Sequence, residues 1–117
     1  MPTDTPGSRP GIDVRRSERG VAIVVLSGEF DLSVKPELSA ALERAGAGEA
    51  GVVVDLGECA FIDSTVIAVL LASSTSLREQ ERHFALVIPP TGTVARTAQL
   101  AGLHALMPTF TSLDEAL

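Results

Sequence analysis

The chain has 117 residues, enough for one compact domain and too few for two ordinary ones. Aromatics make up only 3% and the net charge is −6, which excludes both a base-stacking platform and a basic phosphate-binding surface, so no nucleic-acid partner is expected. One cysteine, Cys59, leaves no intrachain disulfide or multi-cysteine metal site, and no stretch reaches the roughly 18–20 apolar residues of a membrane span.

Residues 1–11 hold three Pro and two Gly among small polar residues and are expected to form a mobile tail, with the domain running over 12–117. This opening has no apolar h-region of a secretory signal, and a soluble cytoplasmic protein without a membrane partner is expected. Ile12 to Ser17 begins as an apolar–polar alternation, predicting a short edge strand. Glu18-Arg19-Gly20 then reads as a hairpin turn with Gly20 at positive φ. Val21 to Ser27 is a continuous apolar run, predicted as a central strand, and Gly28-Glu29-Phe30-Asp31 punctuates it.

Ser33 is placed to cap a helix whose first turn tolerates Pro36, with Val34, Leu38, Ala41, Leu42 and Ala45 along one apolar face. Gly46-Ala47-Gly48 stops it and leads into a buried strand over Val52 to Leu56. Asp63-Ser64-Thr65 stands before the apolar run from Val66 to Ala72 and has the chemistry of a helix start, because its oxygens can accept first-turn amides. That helix is expected to reach Arg78 or Glu79, with Ile67, Leu70, Leu71, Ser74 and Leu77 toward the sheet and Val66, Val69 and Ser73 on a different side. His83 to Ile88 is the next strand, ended by Pro89-Pro90. Thr91 or Thr93 caps a helix carrying Val94, Ala98 and Ala101, and Gly102 suits its left-handed end. Met107 to Phe110 is a weak edge strand, and Ser112-Leu113-Asp114-Glu115 has capping-box spacing for a terminal turn. The alternation predicts an α/β fold: a mixed, mostly parallel sheet of about five strands flanked by helices.

No nucleophile–base arrangement emerges. His83 and His104 lie among apolar residues and read as surface or boundary groups, and Cys59 as a small core residue. Asp31, Asp55 and Asp63 each follow an apolar run and would gather on one rim, either as a Mg²⁺ or phosphoryl-acceptor site of the receiver type or as turn and cap chemistry. The hydroxyls of Ser64 and Thr65 are the remaining candidates, as plain cap residues or as a control point. A phosphate there adds about −1.5 to −2 charges, which the helix N-terminus favours by roughly 0.3–1 kcal/mol. The fold should therefore survive, while a partner packed on that rim would meet a desolvated charge.

GEFDLSVKPEL (Gly28 to Leu38), VVVDLGECAFIDSTVIAVLL (Val52 to Leu71) and LAGLHALMPTFTSLDEAL (Leu100 to Leu117) together resemble the STAS domain, and more narrowly the small free-standing anti-sigma factor antagonists. The resemblance runs from about Ile12 to Leu117. It implies a non-enzymatic regulator that binds an anti-sigma factor with a kinase-like ATP-binding fold, frees the sigma factor by partner switching, and is reset by a phosphatase. By position it makes Ser64 the phosphoacceptor, Thr65 the second choice, and Glu29, Asp31, Asp63, Thr65, Val66 and Val69 the docking residues, with no cofactor and no metal. One departure is Val66, where the family pattern has Gly; on an exposed helix side its isopropyl group would obstruct the partner's close approach. The alternative reading within the same resemblance is a sensor or scaffold that binds a nucleotide or other small molecule at this rim, without covalent switching.

Overall fold

The computed structural model describes residues 9–117. Five strands form one sheet in the sequential order β1 (Gly11–Arg16), β2 (Val21–Phe30), β3 (Gly51–Ile62), β4 (His83–Val87) and β5 (Thr109–Phe110). The β1–β2 pair is antiparallel and the other three pairs are parallel. The helices are α1 (Lys35–Gly46), α2 (Ser64–Glu79), α3 (Thr93–Ala101), α4 (Leu103–Leu106) and α5 (Leu113–Ala116), with a single 3-10 turn at Leu32–Val34 before α1. The expected mixed, mostly parallel α/β sheet is present. Gly11 opens β1, one residue inside the expected tail, and residues 1–8 of that tail lie outside the described residues.

Strand alternation divides the core in two. Ala22, Val24, Leu26, Val52, Val54, Leu56, Phe84 and Leu86 point to one face, where α1, α2 and α3 cover them. A sequential strand order with right-handed crossovers places successive helices on the same side, which accounts for the inequality. On the opposite face Val21, Val53, Ala85 and Val87 pack with Ala116, Phe110, Leu113 and Leu117, so α5 provides the cover. The capping box acts as its spacing predicts: the Glu115 amide donates to Ser112 Oγ at 3.2 Å.

β2 is an interior strand paired on both sides, as its apolar run predicts, and β3 holds the middle of the sheet. Several expectations need correction. Both strands run past their predicted ends. Gly28, at φ +83°, keeps β2 in the sheet through Phe30, and β3 continues six residues beyond Leu56. Their pairing shifts register between Val25 and Ser27 and again between Gly28 and Glu29, each shift placing an extra residue in β3. Such bulges bend a strand and re-aim its side chains, and they hide the strand's period in sequence. Ser33 does not cap α1; Asp31 caps the preceding 3-10 turn by accepting the Ser33 amide. Neither Thr91 nor Thr93 caps α3, which starts from Gly92 at φ +100°.

α2 spans the predicted residues and buries Leu70, Ser74 and Leu77 as expected, with its buried face shifted. Val66, Val69, Leu70, Ser74 and Leu77 are buried, while Ile67 and Leu71 are half-buried at its margin. The helix packs against α1 as well as the sheet, so its buried arc is rotated toward Val66 and Val69. Val66 is fully buried, and its isopropyl group fills core space instead of obstructing an approaching partner.

Candidate functional site

The pairing of β2 with β3 ends in Glu29 opposite Phe61 and Phe30 opposite Ile62, which brings the loop after each strand to the same rim. β3 then gives way to α2 within one residue. Asp63 is extended (φ −110°, ψ −179°) and Ser64 is the first helical residue.

Asp63 makes two different bonds. Its Oδ1 accepts the Val66 amide at 3.0 Å, satisfying one of the unpaired N–H groups of the first turn. Its Oδ2 accepts the Leu32 amide at 3.0 Å, tying the loop after β2 to the start of α2. Asp31 organises the other side, with Oδ1 accepting the Ser33 amide at 2.9 Å and the Ser33 hydroxyl at 2.6 Å. The Ser33 hydroxyl, then its amide, hold the Asp31 carboxyl below the usual carboxylate range. Both carboxylates therefore accept backbone amides at this rim. Ser64 is exposed and Thr65 half-buried.

Glu29, Asp31, Asp63 and Ser64 thus share one rim, as expected, and Thr65 lies beside them. Val66 and Val69 do not join that surface, because both belong to the core; Val69 also lines a groove of about 580 Å³ between α1 and α2. The three-carboxylate cluster is not formed. Asp55 sits further back in β3, opposite Val25 and Val87, where its Oδ1 accepts the Gly57 amide at 2.8 Å. Among the described residues no group of three His, Cys, Asp or Glu is placed to hold a metal ion.

Two rim residues escaped sequence reasoning. Leu32 is 64% exposed and Phe61 37% exposed, each large, apolar and next to the Asp63–Ser64 turn. Exposed apolar groups beside polar ones are what a protein-docking patch requires. The signal was present for Leu32, an apolar residue between Asp31 and Ser33 with no helical face to join. For Phe61 it was masked by the unrecognised extension of β3. Cys59 lies beneath the rim, its thiol donating to Gly28 O at 3.3 Å, and burial pushes its pKa up.

A family model for the STAS domain matches residues 12–116. The chain belongs to the STAS domain family. Among solved structures, this STAS domain is similar to an anti-sigma factor antagonist from Mycobacterium paratuberculosis, with a TM-score of 0.82 and 30% identity over 96% of this chain and 93% of that one. A putative anti-sigma factor antagonist from Thermotoga maritima shares the fold at a TM-score of 0.74, 19% identity and 90% coverage of both chains. So does the Bacillus cell fate determinant SpoIIAA in its phosphorylated form, at 0.67 and 19% identity, covering 91% of this chain and 96% of that one. A sequence search of curated proteins gives no match. Among the described residues no helix is long and apolar enough to cross a membrane.

Proposed function

We propose that this STAS domain is an anti-sigma factor antagonist. It docks through the Ser64 rim onto an anti-sigma factor with a kinase-like ATP-binding fold, displaces the sigma factor, and is switched off by phosphorylation of Ser64. The observation that carries this reading is an exposed serine at the first position of α2, directly after the capping Asp63 and on the rim that also exposes the apolar Leu32 and Phe61. The domain itself performs no catalysis in this scheme. The partner transfers the γ-phosphoryl group of ATP to Ser64 Oγ, ADP leaves, and the hydroxyl proton passes to a base on the partner; a phosphatase restores the serine.

Charge gives the proposed control its direction. A phosphate on Ser64 is favoured by the helix N-terminus by roughly 0.3–1 kcal/mol, and repulsion from Asp63 offsets a similar amount, so α2 stays folded. Within a docked interface the same group is a desolvated charge facing apolar surface, costing about 2–5 kcal/mol, or roughly 30- to several-thousand-fold in affinity.

The test is to incubate the protein with candidate anti-sigma kinases and ATP and to map phosphate by mass spectrometry. Label at Ser64 is expected, with Thr65 the only other position compatible with the reading. Persistent failure to label either residue removes the switch. In parallel, Ser64→Ala should bind the anti-sigma factor within a few-fold of the unmodified protein and Ser64→Asp at least about 30-fold more weakly. Equal binding by both variants refutes the charge mechanism.

A further inference from the structure

We propose that β1 is a self-complementary edge through which two copies of this chain pair antiparallel, joining their sheets into one continuous sheet of ten strands. Exposed edges are normally blunted by shortness, proline, bulges or charged side chains, and of these β1 carries only charge, in Asp13, Arg15 and Arg16. The opposite edge follows that rule, since β5 has two residues and Pro108 precedes it. β1 has six residues, contains no proline, and pairs with β2 in unbroken register from Gly11–Ser27 to Arg16–Ala22.

Main-chain direction fixes which register a second copy can take. The Ser17 amide donates to Val21 O at 2.9 Å, so that pair is hydrogen-bonded. Alternation along an antiparallel ladder then turns the backbone groups of Arg15, Asp13 and Gly11 toward β2 and those of Ile12, Val14 and Arg16 outward. A two-fold axis at Val14 therefore sets Val14 against its own copy as a hydrogen-bonded pair and Ile12 against Arg16 as two more. Between them, Asp13 falls opposite the second copy's Arg15 in the non-hydrogen-bonded positions, where side chains approach most closely. Shifting the axis to Asp13 or to Arg15 would also leave outward amides paired, but would set Asp against Asp or Arg against Arg. Charge thus selects the Val14 register and penalises its two neighbours.

The side chains agree with this pairing. Asp13 and Arg15 are largely exposed and already held side by side, with Arg15 Nε donating to Asp13 Oδ2 at 2.9 Å, so a second copy completes an alternating square of four charges. Val14 is 42% exposed and lines a groove of about 630 Å³ between β1 and α1. α1 runs alongside β1, as the bond from Arg16 Nη1 to Ala45 O shows, and carries Glu37 and Arg44 at opposite ends of that groove. The same two-fold turns the Glu37 end of one copy toward the Arg44 end of the other. Arg16 is occupied by Glu49 at 3.3 Å and does not compete for Asp13. None of Asp31, Asp63 and Ser64 lies on β1, so the paired form carries two Ser64 hydroxyls.

The experiment is sedimentation equilibrium of the full chain up to about 1 mM, a range that detects even a weak pairing with a dissociation constant near 1 mM. A monomer–dimer equilibrium weakened by salt is expected. Asp13→Arg and Arg15→Asp should each weaken it about tenfold or more by opposing like charges. The double variant Asp13→Arg/Arg15→Asp restores opposite charges in the same register and should return dimerisation to within a few-fold of the original. Val14→Pro deletes an outward N–H without touching the β2 ladder and should leave a folded monomer by circular dichroism. A chain that stays monomeric throughout, or a double variant no better than the singles, overturns the proposal; so does a dimer indifferent to Val14→Pro.

Discussion

Replacing Asp63 removes two bonds with separable consequences. In Asp63→Ala, loss of the acceptor for the Val66 amide is an N-cap deletion, which costs about 1 kcal/mol. Loss of the Leu32 tie costs less, because that amide lies on an exposed loop and water replaces the carboxylate; about 0.5–1 kcal/mol is appropriate. The alanine variant should therefore lose about 1.5–2 kcal/mol of unfolding free energy. Asp63→Asn divides the two contributions. Asn caps helices as well as Asp does, yet its amide nitrogen cannot accept from Leu32, so it should lose only about 0.5–1 kcal/mol. Urea unfolding followed by far-UV circular dichroism measures both, provided the slopes agree. Amide exchange supplies the residue-level control: Leu32 should exchange faster in both variants, Val66 only in Asp63→Ala. Equal stability of the two variants, or a worse asparagine, would refute the two-way clip.

Val66→Gly, which installs the residue usual in the family pattern, should destabilise by about 2–4 kcal/mol, since a fully buried isopropyl group and helix propensity are lost together; a loss below about 1 kcal/mol in the same urea assay would contradict the inward placement. Cys59 is expected to resist alkylation at pH 8 in the folded protein and to react once urea unfolds it, because burial keeps the thiol protonated; native-state labelling at the rate of a free thiol would be inconsistent with this. The Asp31 carboxyl should titrate below its ordinary 3.8 in a two-dimensional NMR titration, and Ser33→Ala should raise the midpoint. A carboxyl depressed by folding contributes stability that is present above its unfolded pKa, and that contribution fades as pH falls through the folded value. The Asp31–Ser33 turn should accordingly loosen only on acidification below about pH 4.

The sheet's class and the limits of α2 were legible because apolar runs alternate with helical periods and because Asp63 and Ser64 have few other uses before such a run. β1 was recognisable from two alternating residues and a glycine turn; Gly20 indeed takes φ +79°. What could not be read is instructive. The continuation of β3 through Gly57-Glu58-Cys59-Ala60 has no period of two, since two bulges interrupt it and only pairing with β2 holds it in the sheet. Burial of Val66 and Val69 depends on α2 meeting α1 as well as the sheet, a packing angle that no helical periodicity encodes. The cap falls on Asp31 and not on Ser33 because a one-turn 3-10 helix, invisible to periodicity, sits between the strand and α1. The rim itself was legible as acidic and hydroxyl groups, whereas its apolar half, Leu32 and Phe61, became visible only once the strand ends were known.

The two sides of the sheet are unequally upholstered, and that has a practical consequence. Three helices blanket one side, while the reverse relies on the closing turn from Leu113 to Leu117, anchored by His83 Nε2 to Ala116 O at 2.6 Å and Arg19 Nη1 to Leu117 O at 3.4 Å. Deleting residues 113–117 would strip the shutter from Val53, Ala85 and Val87 while sparing every residue of the Ser64 rim. The shortened chain would then become sticky with its Ser64 rim intact, and its clumping would say nothing about the proposed switch.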